Sequence, residues 1–128
     1  MGTVDEVRGV ALSLPRTTEH LIRDRVKFRV GSIVYLALSQ DETTLGFAFP
    51  KEERAALVAT DPGRFFQPPV SDLRFNWVCG HLSQLHGDEL HDLIVDAWRM
   101  VVPKRVYAAI LPRLAARGGA PHPHSRAH

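Results

Sequence analysis

The sequence predicts an α+β domain built in two layers, an antiparallel sheet with helices packed on one face. Three observations carry this expectation. Residues 26–49 hold three strand-like stretches separated by turns too short for crossover helices. Residues 4–14 and 88–101 space their apolar side chains as a single helical face does. Residues 75–82 supply one more strand, between the three-stranded meander and the longest helix. The 128 residues amount to one domain, and 45% apolar with 23% charged residues is a globular composition, not a disordered one.

Each element has its own signal. Val4, Val7, Val10, Ala11 and Leu14 form the apolar face of the first helix, which Pro15 ends because it disfavours helical geometry in the residue before it. Residues 16–24 read as a charged connector. Val26, Phe28 and Val30 alternate with basic residues, and Gly31-Ser32 is a turn signal. Ile33 to Ser39 is rich in β-branched and aromatic residues. After the polar turn Gln40-Asp41-Glu42, Leu45, Phe47 and Phe49 share one strand face. Pro50 opens a helix over about 51–59, with Glu52 and Glu53 at its positive end, and Asp61-Pro62-Gly63 stops it. Residues 64–73 read as a loop pinned by Phe65 and Phe66, and 83–86 as a short element. In the longest helix Leu90, Leu93, Ile94, Ala97, Trp98 and Val101 form one stripe, with Trp98 at its centre as a core anchor. Pro103 interrupts it. A last helix over about 104–116 contains Pro112, which blurs its boundaries. Residues 1–117 are then one domain. Residues 118–128, with two glycines, two prolines and no large apolar side chain, are expected to be a disordered tail.

Composition excludes several classes. No apolar run approaches the ~20 residues of a membrane helix. The acidic start, Val4-Asp5-Glu6, lacks the apolar core of a secretion signal, and the single cysteine, Cys79, has no internal disulfide partner. A cytoplasmic protein with no membrane partner is the expectation. The oligomeric state is left open, with a monomer favoured. Net charge is only +2, but residues 97–128 carry six cations and no acid while residues 1–96 are net negative. Such a basic end could meet an anion such as nucleic acid. Cations placed near helix C-termini explain it equally simply, and that explanation is favoured.

The sequence holds no glycine-rich phosphate loop, no nucleophile elbow and no His-Glu-x-x-His. Cys79 reads as a buried strand residue rather than a reactive thiol. His81, His86 and His91 stand five apart, which turns the second ligand off a helical face, and the tail histidines have no fixed geometry around them. No metal, cofactor or catalytic residue is expected.

One constellation suggests binding. Alternation places Arg25, Lys27 and Arg29 on the face opposite Val26, Phe28 and Val30. If Trp77 or Tyr35 shares that open face, the result is a basic and aromatic platform suited to nucleic-acid phosphates and bases. A solvated strand face with Trp77 in the core is the plainer alternative, and it is favoured. Lys104 and Arg105, after the Pro103 interruption, are further candidate cations. The competing functional reading is a small-ligand or protein-partner module with a pocket near Tyr35 and Trp77.

The run Ala97-Trp98-Arg99-Met100-Val101-Val102-Pro103-Lys104-Arg105 resembles the C-terminal signature of the MmcQ/YjbR family. Ala11-Leu12-Ser13-Leu14-Pro15 with Thr18-Glu19, Phe28-Arg29-Val30-Gly31, Asp61-Pro62 with Phe65-Phe66, and Trp77-Val78 with Leu82 match other family segments in order. The resemblance spans about residues 4–107. It implies a two-layer α+β fold like that of secretion chaperones, also compared with the double-wing DNA-binding domain of a phage transcription activator. It further implies a DNA-binding, non-enzymatic role and carries over no catalytic residue. The DNA contact is expected to be weak and salt-sensitive. The chain departs from the family pattern at Gly80-His81 and at Ile22-Arg23-Asp24-Arg25.

Overall fold

The computed structural model describes residues 2–118. In chain order it contains α1 (Val4–Leu12), β1 (Thr17–Ile22), β2 (Arg25–Val30), β3 (Ile33–Leu38), β4 (Thr44–Ala48), α2 (Lys51–Thr60), β5 (Phe65–Phe66), β6 (Trp77–His81), α3 (Gly87–Arg99) and α4 (Lys104–Gly118). Single 3-10 turns lie at Val70–Asp72 and Leu82–Gln84. The strands form one open sheet in the order β1-β2-β3-β4-β6-β5, with every neighbouring pair antiparallel. This is the expected two-layer α+β architecture. The expected disordered tail lies, beyond Gly118, outside the described residues.

Register builds the core. The pairs Phe28↔Leu36, Leu36↔Phe47 and Phe47↔Val78 run across four strands on one face, and Leu38, Leu45 and Phe65 extend it. Against this face pack Leu90, Ile94, Ala97 and Trp98 of α3 and Val7 and Ala11 of α1, all fully buried. The Trp98 indole N–H donates to the Pro15 carbonyl at 2.9 Å, which ties α3 to the chain leaving α1. α4 folds back on α3, and α2 lies against β5 and β6.

Two sequence expectations change. The connector at 16–24 is the edge strand β1. Its turn to β2 places Arg23 and Asp24 at φ 53° and 63°, the conformation of a type I′ hairpin. Glycine or asparagine usually supplies that conformation, so the sequence carries no turn signal there. Glu19 helps fix the strand by a bidentate ion pair with Arg8 of α1, at 2.8 Å to Nε and 2.9 Å to Nη2. The loop at 64–73 contains β5, whose two residues are too few for an alternation to show. The last helix, α4, contains Pro112 as the sequence pattern implies. Ala108, whose carbonyl loses its donor there, is exposed, so water can satisfy it.

Candidate nucleic-acid interface

The face of the sheet opposite the core is set by β2 alternation. Arg25, Lys27 and Arg29 point away from buried Phe28, as the sequence predicts. Following the register outward from Lys27 gives Ala37, Gly46 and Cys79 on successive strands, a row of small side chains. One row further along, Ala48 pairs with Trp77. The Trp77 side chain leans back over β4. A Cβ added at Gly46 would lie 2.5 Å from Trp77 Nε1 and 2.8 Å from two further ring carbons, so only glycine lets the indole lie there. The indole over β4 and Lys27 on β2 are thus separated by a single strand, at Ala37, or about 10 Å at sheet spacing.

This geometry leaves a cavity of about 560 Å³ on the open face. Arg25 and Lys27 line one side, Val34, Ala37 and Ala48 the floor, and Trp77, Phe75, Asn76 and Asp72 the other side. Met100 and Val101 complete the lining. They lie in the middle of the Ala97–Arg105 signature, whose Ala97 and Trp98 are core residues. The signature therefore both packs α3 and presents its middle residues to the cavity.

The wall at residues 72–77 is held by Arg54, a buried cation of α2. Its guanidinium donates to the carbonyls of Leu73 at 2.8 Å, Phe75 at 3.1 Å and Trp77 at 2.9 Å. Asn76 adds a second tie, its side-chain oxygen accepting the Lys51 backbone N–H at 3.0 Å and so satisfying a free donor at the start of α2. Asp72, in the 3-10 turn, lines the cavity, and its carboxylate has no hydrogen-bond or ion-pair partner among the described residues.

The sequence candidates thus divide. Arg25, Lys27 and Trp77 are brought together in one cavity. Arg29 shares their face but lies outside it, with Nη2 at 3.3 Å from His20 Nδ1. Tyr35 is placed elsewhere, which corrects the pocket expected for it beside Trp77. The β2–β3 register slips between Phe28 and Arg29, leaving Tyr35 as the extra residue of a bulge. That turns it into the core, where it is fully buried and its hydroxyl meets Thr17 Oγ1 at 2.7 Å. Burial pushes its pKa up to about 12. Lys104 and Arg105 are exposed on the first turn of α4, away from the cavity.

Cys79 lies under the open face and is buried, and desolvation followed by the charge of Asp72 raises its pKa to about 11. The thiol stays protonated at neutral pH, which does not suit a nucleophile. His81 stacks on Phe66 with ring centroids 4.8 Å apart. Among the described residues no group of three or more histidines, cysteines or carboxylates is placed to hold a metal ion, and no helix is long and apolar enough to cross a membrane.

Sequence reasoning missed Arg54, Asp72, Asn76, Met100 and Val101 as parts of this site. One signal was available for the cavity: a glycine inside a strand, Gly46, marks a close approach. Nothing marks Arg54, which sits among charged and small residues on a helix that reads as exposed.

Fold and site together define a small α+β protein with an open-faced antiparallel sheet, one face packed by helices and the other carrying a basic and aromatic cavity. The chain belongs to the YjbR family, whose model matches residues 12–100. Among solved structures it is similar to Deinococcus radiodurans protein DR2400, which carries a DUF419 domain, with a TM-score of 0.69 and 22% identity over 100% of this chain and 97% of that one. At that identity the likeness shows the fold alone. No curated protein matches the chain.

Proposed function

We propose that the protein is a non-enzymatic DNA-binding domain that engages a strand through the open face of its sheet. The observation that supports this most is the placement of Arg25 and Lys27 in one cavity with Trp77. A nucleic-acid strand offers a phosphate charge and a flat ring at every step, and single-strand binders meet these with cations and stacking aromatics. Phe75, about half exposed at the cavity mouth with Arg74 4.7 Å above its ring, offers a second stacking surface. Arg29, Lys104 and Arg105 are outlying cations for neighbouring phosphates.

The test is a salt titration of binding to a labelled single strand and to a short duplex. Each phosphate contact contributes about 0.7 to the log-affinity against log-salt slope on single strands and about 0.9 on duplex DNA. Arg25→Ala/Lys27→Ala should lower affinity at low salt and flatten the slope by about two contacts. No binding by the parent protein at low salt refutes the reading. An unchanged slope in the double variant keeps DNA binding but removes this face as its site.

A second reading is favoured by one observation, the size of the cavity. About 560 Å³ is within the range of small-molecule sites. A small-ligand module would retain a metabolite on purification and bind it with little dependence on salt.

A further inference from the structure

We infer that the cavity is a base-reading pocket that selects guanine, with Asp72 as the residue that reads it; this rests on the proposed engagement of a nucleic-acid strand by the open face. The cavity has two chemically different sides. Arg25 and Lys27 on β2 supply positive charge, and the Trp77 indole lies over Gly46 toward the other side. The same cavity is lined by one carboxylate, Asp72, without a hydrogen-bond or ion-pair partner among the described residues. Phosphates gain nothing from that carboxylate. A purely electrostatic grip on the backbone would be better without it, since like charges at an interface act against binding.

An acceptor-only group in one cavity with a stacking ring fits a base edge that donates. When ionised, a carboxylate has two oxygens and accepts only. Guanine presents two adjacent donors on its Watson–Crick edge, N1–H and N2–H, which match the two oxygens. Adenine and cytosine each present one exocyclic amine next to a ring acceptor. Thymine presents one N–H between two carbonyl oxygens, which would face the carboxylate with repulsion. These edges are free only in a single strand or an extruded nucleotide, the form in which a base can also stack on an indole.

The wall that carries Asp72 is fixed before any ligand arrives. Its backbone N–H donates to the Pro69 carbonyl at 2.8 Å, its own carbonyl accepts from the Phe75 N–H at 3.0 Å, and Arg54 holds the next carbonyls in the loop. A carboxylate on a pinned loop can discriminate between bases, because it does not relax to suit the wrong one. Asn76 sits on the same wall, but its side-chain oxygen already accepts the Lys51 N–H, which leaves Asp72 as the acceptor for guanine's two donors.

The experiment compares the full chain with Asp72→Asn, an isosteric surface change, after circular dichroism shows both folded. The probes are a short oligothymidylate strand, the same strand with one central guanine, and the same strand with hypoxanthine there, which keeps N1–H and lacks the exocyclic amine. A bidentate base contact corresponds to about tenfold or more in affinity. The parent should bind the guanine strand about tenfold more tightly than oligothymidylate, with hypoxanthine between them. Asp72→Asn should lose the guanine preference while binding oligothymidylate as tightly as the parent or more so, since a negative charge has gone. Equal affinity of the parent for all three strands overturns the base-reading inference and leaves DNA binding standing. A guanine preference that survives Asp72→Asn overturns the role of Asp72. Absence of binding to any strand at low salt refutes the DNA-binding reading, and the inference falls with it.

Discussion

Removing the Arg54 guanidinium should loosen the cavity wall before it unfolds the protein. Arg54→Met keeps an aliphatic stem of similar length and deletes three hydrogen bonds, to Leu73, Phe75 and Trp77. Hydrogen bonds from charged donors contribute about 1.5–3 kcal/mol each, and a carbonyl left dry costs about 1–3 kcal/mol. The three carbonyls belong to a surface loop and can recover part of that from water. The substitution removes the charge itself and leaves behind only neutral carbonyls, so no buried charge is stranded. A net loss of about 2–4 kcal/mol is therefore expected, below the sum of the three bonds. Denaturant unfolding gives the total. Amide hydrogen exchange gives the location: protection should fall at residues 72–77 and hold in β2 and β3. Arg54→Lys can satisfy one or two of the carbonyls at a time and should fall between. An unchanged midpoint and unchanged exchange at 72–77 in Arg54→Met would refute the claim that this residue fixes the wall.

Other consequences are as specific. Trp98→Ala removes a fully buried indole and its hydrogen bond to Pro15, and should cost about 3–5 kcal/mol in denaturant unfolding. Gly46→Ala places a methyl where the Trp77 ring lies, so the indole must swing out; its emission should shift to the red, and DNA affinity should fall with only a modest loss of stability. The raised pKa values of Tyr35 and Cys79 mean that the folded state holds protons the unfolded chain releases. Their contribution is complete below pH 9 and is lost as pH rises, through about 11 for the thiol and about 12 for the phenol. Melting temperature should decline over that alkaline range, and Tyr35→Phe should remove the upper part of the decline.

Much of this architecture was legible because it follows from periodicity. The α3 stripe, the β2 alternation and the short turns around β3 each report burial on one side, and register then forces Arg25 and Lys27 to the open face. What could not be read depends on backbone conformations with no residue signature. The Arg23-Asp24 turn adopts positive φ without glycine, so β1 looked like a connector. The β3 bulge adds one residue out of step, and that single step moves Tyr35 from the open face to the core. The cavity wall depends on contacts between α2 and a loop 19 to 23 residues away in sequence, which local patterns do not contain. The Trp77 position was readable in part, through Gly46 on the neighbouring strand.

The most direct test of the open face as a DNA site uses the two tryptophans themselves. Trp98 is fully buried in the core, so a change in indole emission on binding reports Trp77. Titrating the protein at low salt with a short single strand should quench that emission as a base stacks on the indole, and added salt should restore it. Lys27→Ala should shift the titration to higher strand concentration, and Trp77→Phe should abolish the quench while leaving residual binding by anisotropy. Binding seen by anisotropy with no change in the emission of the parent protein would contradict the account, because the strand would then lie somewhere other than over Trp77.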